Sequence, residues 1–216
     1  METLNASSSG ETPRRLELQV ECDHLDARSR LGMGRLPASV CLSAVATQAL
    51  WDLHPPRFHV VTMYGRKLET PRWQQAYGAD YVYSGNVNRA LRVPSLLRPL
   101  LDVCQRTIDP RLNGLLVNWY DGAQKHYMGP HRDTAGQLID GSPIVTLSFG
   151  EERIFRLRPH GGGPKRDFLL EHGSVVVLPY DTNLSWTHAV PHFARYRGRR
   201  ISVTLRAFVP ERLWVN

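Results

Sequence analysis

Apolar positions recur at helical spacing early in the chain and in short β-rich runs later. Residues 38–53 fit an amphipathic helix that must stop before Pro55-Pro56, since proline supplies no N–H and restricts the residue before it. Residues 94–108 repeat the helical spacing, with Pro94 in the first turn, where its missing donor is harmless, and Pro99 placed to kink the second. Between them FHVVTMY, residues 58–64, reads as a strand, and the polar stretch 65–80, broken by Gly65, Pro71 and Gly78, reads as loops. From residue 114 the pattern changes. Short β-rich runs at 114–120, 143–149, 153–158, 167–171, 174–178 and 200–209 are each bounded by Gly, Pro, Asn or Asp. Helices first and strands afterwards predict an α+β domain, a β-sandwich or jelly-roll core with supporting N-terminal helices.

Length and composition narrow this picture. A chain of 216 residues with 42% hydrophobic and 22% charged residues suits one globular domain, here 16–216, after a polar, Ser-rich tail at 1–15 expected to be disordered. No apolar run is long enough for a membrane helix, and the first residues contain no apolar stretch of the secretory kind. Cys22, Cys41 and Cys104 are too widely spaced for a zinc site or a disulfide framework, which favours a reducing compartment, cytoplasmic or nuclear. The net charge of +7 favours polyanionic partners, nucleic acid first, and Lys165, Arg166, Arg195, Arg197, Arg199 and Arg200 gather the basic residues late in the chain. Gly161-Gly162-Gly163-Pro164 lacks the pattern of a phosphate-binding loop.

The candidate chemistry centres on His131-Arg132-Asp133. On a strand, residues i and i+2 share a face, so an imidazole and a carboxylate could take adjacent corners of an octahedral metal. A third ligand must come from elsewhere. His188 would complete the two-imidazole, one-carboxylate set of a mononuclear Fe(II) oxygenase site. The spacing alone is weak, because His24-Leu25-Asp26 repeats it in a polar stretch that reads as a surface loop. Stronger support comes from two alternating runs. Asn118 and Tyr120 share one face of LLVNWY; Arg200, Ser202, Thr204 and Arg206 share one face of RISVTLR, opposite Ile201, Val203 and Leu205. Two arginines on a small polar face call for a paired acid, which a dicarboxylate could supply.

The order Asn-x-Tyr, His-x-Asp, distal His, then Arg-x5-Arg resembles that of the AlkB family of Fe(II)/2-oxoglutarate dioxygenases, most of all its members that demethylate DNA. GSPIVTLSFG at 141–150, HGSVVVLP at 172–179, PRWQQAYG at 71–78 and YVYSG at 81–85 carry the likeness across roughly residues 58–209. The resemblance implies a double-stranded β-helix (jelly-roll) core at 114–209 behind a nucleotide-recognition and support region at 58–110. It implies His131, Asp133 and His188 as catalytic iron ligands, and Asn118, Tyr120, Arg200, Ser202 and Arg206 around 2-oxoglutarate. Arg200 would face the distal carboxylate and Arg206 the chelating end; Ser202 stands where many relatives carry Asn. Fe(II), 2-oxoglutarate and O2 are the implied cofactors. The implied reaction oxidises a methyl group on a base nitrogen, with 2-oxoglutarate becoming succinate and CO2, and releases formaldehyde.

On the substrate side the resemblance implies Tyr83 as a stacking partner for a flipped base, Tyr81 as a hydrogen-bonding neighbour, and Met63-Tyr64 as an apolar duplex wedge. Arg66, Lys67, Arg72 and the 195–200 cluster are expected at phosphates. Relatives carry further acids after His-x-Asp, where this chain has Thr134 and Ala135. The partner expected is alkylated DNA or RNA, of N1-methyladenine or N3-methylcytosine type, acted on by a monomer. The alternatives are a hydroxylase of a small molecule or peptide, and a catalytically silent nucleic-acid-binding β-sandwich.

Overall fold

The computed structural model describes residues 18–63, 65–83 and 86–209. The expected tail at 1–15 and Tyr64 lie outside them. In chain order the elements are β1 (Val20–His24), β2 (Arg30–Arg35), α1 (Ala44–Trp51), β3 (Val60–Met63), β4 (Arg66–Glu69), β5 (Trp73–Tyr77), β6 (Tyr81–Tyr83) and β7 (Asn86–Asn88). Then follow α2 (Arg98–Thr107), β8 (Gly114–Asp121), β9 (Met128–His131), β10 (Ile144–Gly150), β11 (Arg153–Pro159), β12 (Arg166–Leu170), β13 (Ser174–Leu178), α3 (Tyr180–Ser185), β14 (Trp186–Val190) and β15 (Arg199–Arg206).

Alternation along β8 and β15 builds the sandwich. Leu115, Val117 and Trp119 of β8 and Ile201, Val203 and Leu205 of β15 join one apolar cluster with Leu50 and Trp51 of α1 and Leu100, Leu101, Val103 and Cys104 of α2. Leu116 and Tyr120 face the other way, into a second cluster with Phe155 and Leu157 of β11 and Trp186 and Val190 of β14. The larger sheet, of order β1-β2-β13-β10-β15-β8-β5, therefore carries helices on one face and the smaller sheet, β12-β11-β14-β9, on the other. Every pairing within the two sheets is antiparallel. Each fully buried Leu or Phe in these clusters contributes roughly 1.5–3 kcal/mol relative to exposure. Trp119, Phe149 and Trp186 are core residues, and the indole N–H of Trp119 donates to the Leu50 carbonyl at 2.9 Å, closing the end of α1 onto the sheet.

The α+β reading and the β-rich second half hold, with corrections of detail. The first helix is shorter than 38–53: Ser43 caps it, its hydroxyl accepting from the Ala46 N–H, and residues 38–41 form turns. Pro99 lies in the first turn of α2 rather than the second, because Ser95–Leu97 is a separate 3-10 turn. The stretch 65–80 is not all loop. It contains β4 and β5, and β5 is an edge of the larger sheet, buried despite Gln74 and Gln75. With β1 and β2, it extends that sheet beyond 114–209. Outside the β-rich runs lie β1, β2 and β7, and also β9, where the His-x-Asp argument assumed a strand that Gly129 and Pro130 disguise, and β14, which carries His188. The decoy at 24–26 runs from the last residue of β1 into the β1–β2 turn, where Asp26 accepts from the N–H groups of Arg28 and Ser29 at 2.8 and 2.7 Å. No helix among the described residues is long and apolar enough to cross a membrane.

Candidate metal centre and substrate cleft

His131 ends β9 and His188 lies in β14, and the two are direct partners in that antiparallel pairing, with ring centroids 4.2 Å apart. Asp133 does not share the strand with His131, contrary to the i, i+2 argument. It follows the strand end in a loop, and its carboxylate returns to within 3.8 Å of His131 Nε2. One ligand atom from each of His131, Asp133 and His188 lies within 4.8 Å of the others, and this is the only such cluster among the described residues. The carbonyl of Gly129, an acceptor only, takes a hydrogen bond from His131 Nδ1 at 3.0 Å, which leaves the lone pair on Nε2, facing Asp133.

The electrostatics favour cation binding. Burial pushes the His188 imidazole down to about 3, with His131 adding to the effect, and burial also lowers His131, so both rings are neutral at neutral pH. Burial would raise the Asp133 carboxyl, but the Arg206 guanidinium, donating through Nε to Oδ2 at 2.6 Å, holds it well below the usual range. The Tyr81 hydroxyl sits 3.5 Å from Oδ1, and His188 Nδ1 is buried with no protein partner.

Beside this cluster, β15 presents Arg200, Ser202, Thr204 and Arg206 to the sandwich interior, all buried. Their partners in β8 are, in register, Tyr120, Asn118, Leu116 and Gly114. The face expected from alternation is thus assembled. Arg200 has no exposed surface; its Nε donates to Ser148 Oγ at 3.0 Å, and its Cζ lies 5.1 Å from the Tyr120 ring centroid. Both of its terminal nitrogens lack partners, as does Arg206 Nη1. Burial pushes Arg200 down to about 10, so it remains a cation at neutral pH. A sealed guanidinium with two idle donors fits a carboxylate in bidentate fashion.

Arg72 is half-buried and lines the cleft. Its Nε donates to Asn118 Oδ1 at 2.7 Å and one terminal nitrogen to Gln74 Oε1 at 3.3 Å. Arg200, with no exposed surface, leaves the expected phosphate set. Arg195 and Arg199 of that set stack on Tyr196 and Trp51, each with Cζ 4.7 Å from the ring centroid, while Arg66 and Lys67 are exposed.

A cleft of about 260 Å³ leads from the surface to His131, lined by Arg72, Tyr81, Tyr83, Tyr127 and Met128 among others. The Tyr81 and Tyr83 rings are stacked, 6.3 Å apart and within 5° of parallel, and Tyr83 meets His131 edge-on at 6.2 Å. Met63 ends β3, and Val61 and Leu68 of the same hairpin line the cleft. Tyr81 is buried and turned to Asp133; Tyr83 is half-buried and faces the opening.

Three polar residues of this region escaped sequence reasoning. Glu69, at the end of β4, lines the cleft. Gln137, one turn after the metal motif, grips Val82 between the two tyrosines, accepting from its N–H at 3.2 Å and donating to its carbonyl at 2.6 Å. Asn183 of α3 holds Asp133. Glu69 and Asn183 gave no signal in a single sequence, since each reaches the site only through tertiary packing.

The sandwich and this site together define an oxygenase. The profile of the 2OG-Fe(II) oxygenase superfamily matches residues 44–206, and the chain belongs to that family. Membership implies Fe(II), 2-oxoglutarate and O2, which the His131, Asp133 and His188 cluster and the idle guanidinium of Arg200 fit. The chain is 34% identical over 162 residues to the DNA oxidative demethylase ALKBH2 of Mus musculus, covering 69% of this chain and 67% of that one. It is 30% identical over 157 residues to the protein of the same name in Homo sapiens, covering 68% and 60%, so the match spans under two thirds of that relative. Similarity extends to the alpha-ketoglutarate-dependent dioxygenase alkB homolog 3 of Homo sapiens, 28% identical over 158 residues, covering 66% and 54%. The solved structure of OsALKBH1 superposes with a TM-score of 0.53 at 15% identity, covering 86% of this chain and 99% of that one, which shows the shared fold.

Proposed function

We propose that this chain removes methyl groups oxidatively from the bases of nucleic acid, N1-methyladenine and N3-methylcytosine foremost, oxidising 2-oxoglutarate to succinate and CO2 and releasing formaldehyde. The observation that carries this reading is the Tyr81–Tyr83 pair, which walls a cleft ending on His131. A flat ring laid against Tyr83 reaches the metal ligand that Tyr83 already touches. The relatives named as DNA oxidative demethylases favour a base over other flat rings.

His131, Asp133 and His188 would hold Fe(II), which supplies O2 activation coupled to decarboxylation of the bound 2-oxoacid. Arg200 would bind the distal carboxylate, with Tyr120 against its guanidinium face and Ser148 fixing Nε. Arg72 occupies the amide oxygen of Asn118, which leaves the Asn118 NH2 as a donor for the other end of the co-substrate. Ser202, beside Asn118 in register, adds a hydroxyl to the same wall. Arg206 keeps Asp133 ionised and occupies Oδ2, leaving Oδ1 for the metal.

The cleft also suits the charge of the substrate. N1-methyladenine and N3-methylcytosine are cations. Thr134 and Ala135 offer no acid after the metal motif, and Glu69 is the only carboxylate among the described residues lining the cleft. Glu69 is thus the carboxylate placed to meet that charge. Residues 58–110 serve as the recognition region, Met63 and Tyr64 as the wedge, and placement in the nucleus or cytoplasm follows from the substrate. The experiment supplies Fe(II), ascorbate and 2-oxoglutarate with single- and double-stranded oligonucleotides carrying either lesion, and measures restored base by mass. Restored base is expected. Succinate without repair would point instead to a small-molecule or peptide hydroxylase, and no succinate with any substrate to a silent binder.

A further inference from the structure

We infer that Asn183 is a positioning residue for the metal, acting through the backbone of Asp133. Asp133 is the one candidate ligand outside a strand, since β9 ends at His131, so no ladder of backbone hydrogen bonds fixes it. Asn183 does that work from fifty residues away. Its Oδ1 accepts from the Asp133 N–H at 2.9 Å, and its Nδ2 donates to the Asp133 carbonyl at 3.1 Å. The Asn183 side chain has no exposed surface, so neither bond competes with water. Both polar groups of the Asp133 peptide are satisfied by one planar amide, which sets the position and tilt of the residue together. Arg206 then orients the carboxylate. The division is clean: Asn183 places the backbone, Arg206 turns the side chain, and Oδ1 is left toward His131.

The clamp is anchored in turn. The Thr182 hydroxyl bridges the backbone of Arg30 in β2, donating to its carbonyl at 2.9 Å and accepting from its N–H at 3.1 Å. The Trp186 indole donates to Asp26 Oδ2 at 3.1 Å. From the other side Arg132 donates to the Leu184 carbonyl at 2.5 Å. The β1–β2 hairpin, whose turn repeats the His-x-Asp spacing without its chemistry, therefore braces the short helix and the strand that follows it. Partners beyond the ligands themselves typically shift metal affinity or activity ten- to a hundredfold when removed.

The test titrates the full chain with Co(II), reading its visible absorption bands, so that neither nucleic acid nor turnover is needed. Asn183→Ala is expected to weaken Co(II) binding ~10- to 100-fold and to alter the band shape. Asn183→Leu, which keeps the side-chain volume and loses both bonds without adding a charge, is expected to show a loss in the same direction. It serves as the test if the alanine variant does not fold. Leu101→Ala in α2, remote from the site, lowers stability through core packing alone and is expected to bind Co(II) as the wild type does. Affinity within twofold of wild type in either Asn183 variant would overturn the inference, as would an equal loss in Leu101→Ala. A wild-type chain that takes up no Co(II) would instead remove the metal reading on which the inference rests.

Discussion

Arg206 donates through Nε to Asp133 Oδ2 at 2.6 Å, with both side chains almost sealed from water. The pair makes stability in the metal-free chain depend on pH, and the neighbouring histidines set where. Asp133 is held below its ordinary 3.8, so its contribution is present above that value and is lost as pH falls through the folded one. His188 is depressed from 6.5 to about 3. Between those values the unfolded chain binds a proton that the folded chain excludes, so stability falls as pH falls. Each such histidine contributes a slope of up to ~1.4 kcal/mol per pH unit, and His131 has the same sign. The urea midpoint of the chelator-treated chain should be flat between about pH 7 and 8 and drop from about pH 6.5 downward. His188→Gln should make that drop shallower; an unchanged slope would show that His188 is not buried neutral.

Arg200 carries a charge with no acid opposite it, which gives one substitution two opposite effects. Arg200→Met removes an uncompensated buried cation, so the melting temperature without 2-oxoglutarate should rise. The same change should raise the KM for 2-oxoglutarate roughly 30- to 1000-fold, from about 2–4 kcal/mol of lost pairing. Steady-state rates against 2-oxoglutarate concentration and thermal melts on one preparation read both. A rise in KM without stabilisation would mean that the guanidinium finds another partner in the free chain.

Glu69 lies exposed at the cleft, so its effect should be modest and salt-dependent. Glu69→Gln should slow repair of the cationic N1-methyladenine about two- to fivefold at low salt, the scale of an exposed charge contact. Repair of the neutral N3-methylthymine should be unchanged. An equal loss on both lesions would assign Glu69 a structural role.

Met63 and Tyr64 should matter only where a duplex must be opened. A Met63→Ala/Tyr64→Ala variant is expected to lose more activity on double-stranded than on single-stranded substrate. Equal losses would remove the wedge.

Much of the site was legible because β8 and β15 follow strict alternation: Asn118, Tyr120, Arg200, Ser202, Thr204 and Arg206 reach one interior face through the period of two alone. The strands bearing the histidines were not legible. β9, an edge of the smaller sheet, contains Gly129 and Pro130, and β14 is a short inner strand between α3 and a loop, so neither shows a β-rich run. β5 was hidden by Gln74 and Gln75, whose amides are satisfied by Arg72 and by the Ala76 and Arg89 carbonyls. Arg72 itself reads as a surface cation in sequence and is an internal donor in the fold. The clamps by Gln137 and Asn183 join segments about fifty residues apart, and nothing local announces them.

The central claim is that oxidation of 2-oxoglutarate at His131, Asp133 and His188 is coupled to removal of a methyl group from a base. Succinate, formaldehyde and restored base should therefore be measured together in one reaction with an N1-methyladenine oligonucleotide. Equal yields of all three, abolished together in His131→Ala, are the expected result. Succinate formed in full with neither formaldehyde nor restored base would contradict it.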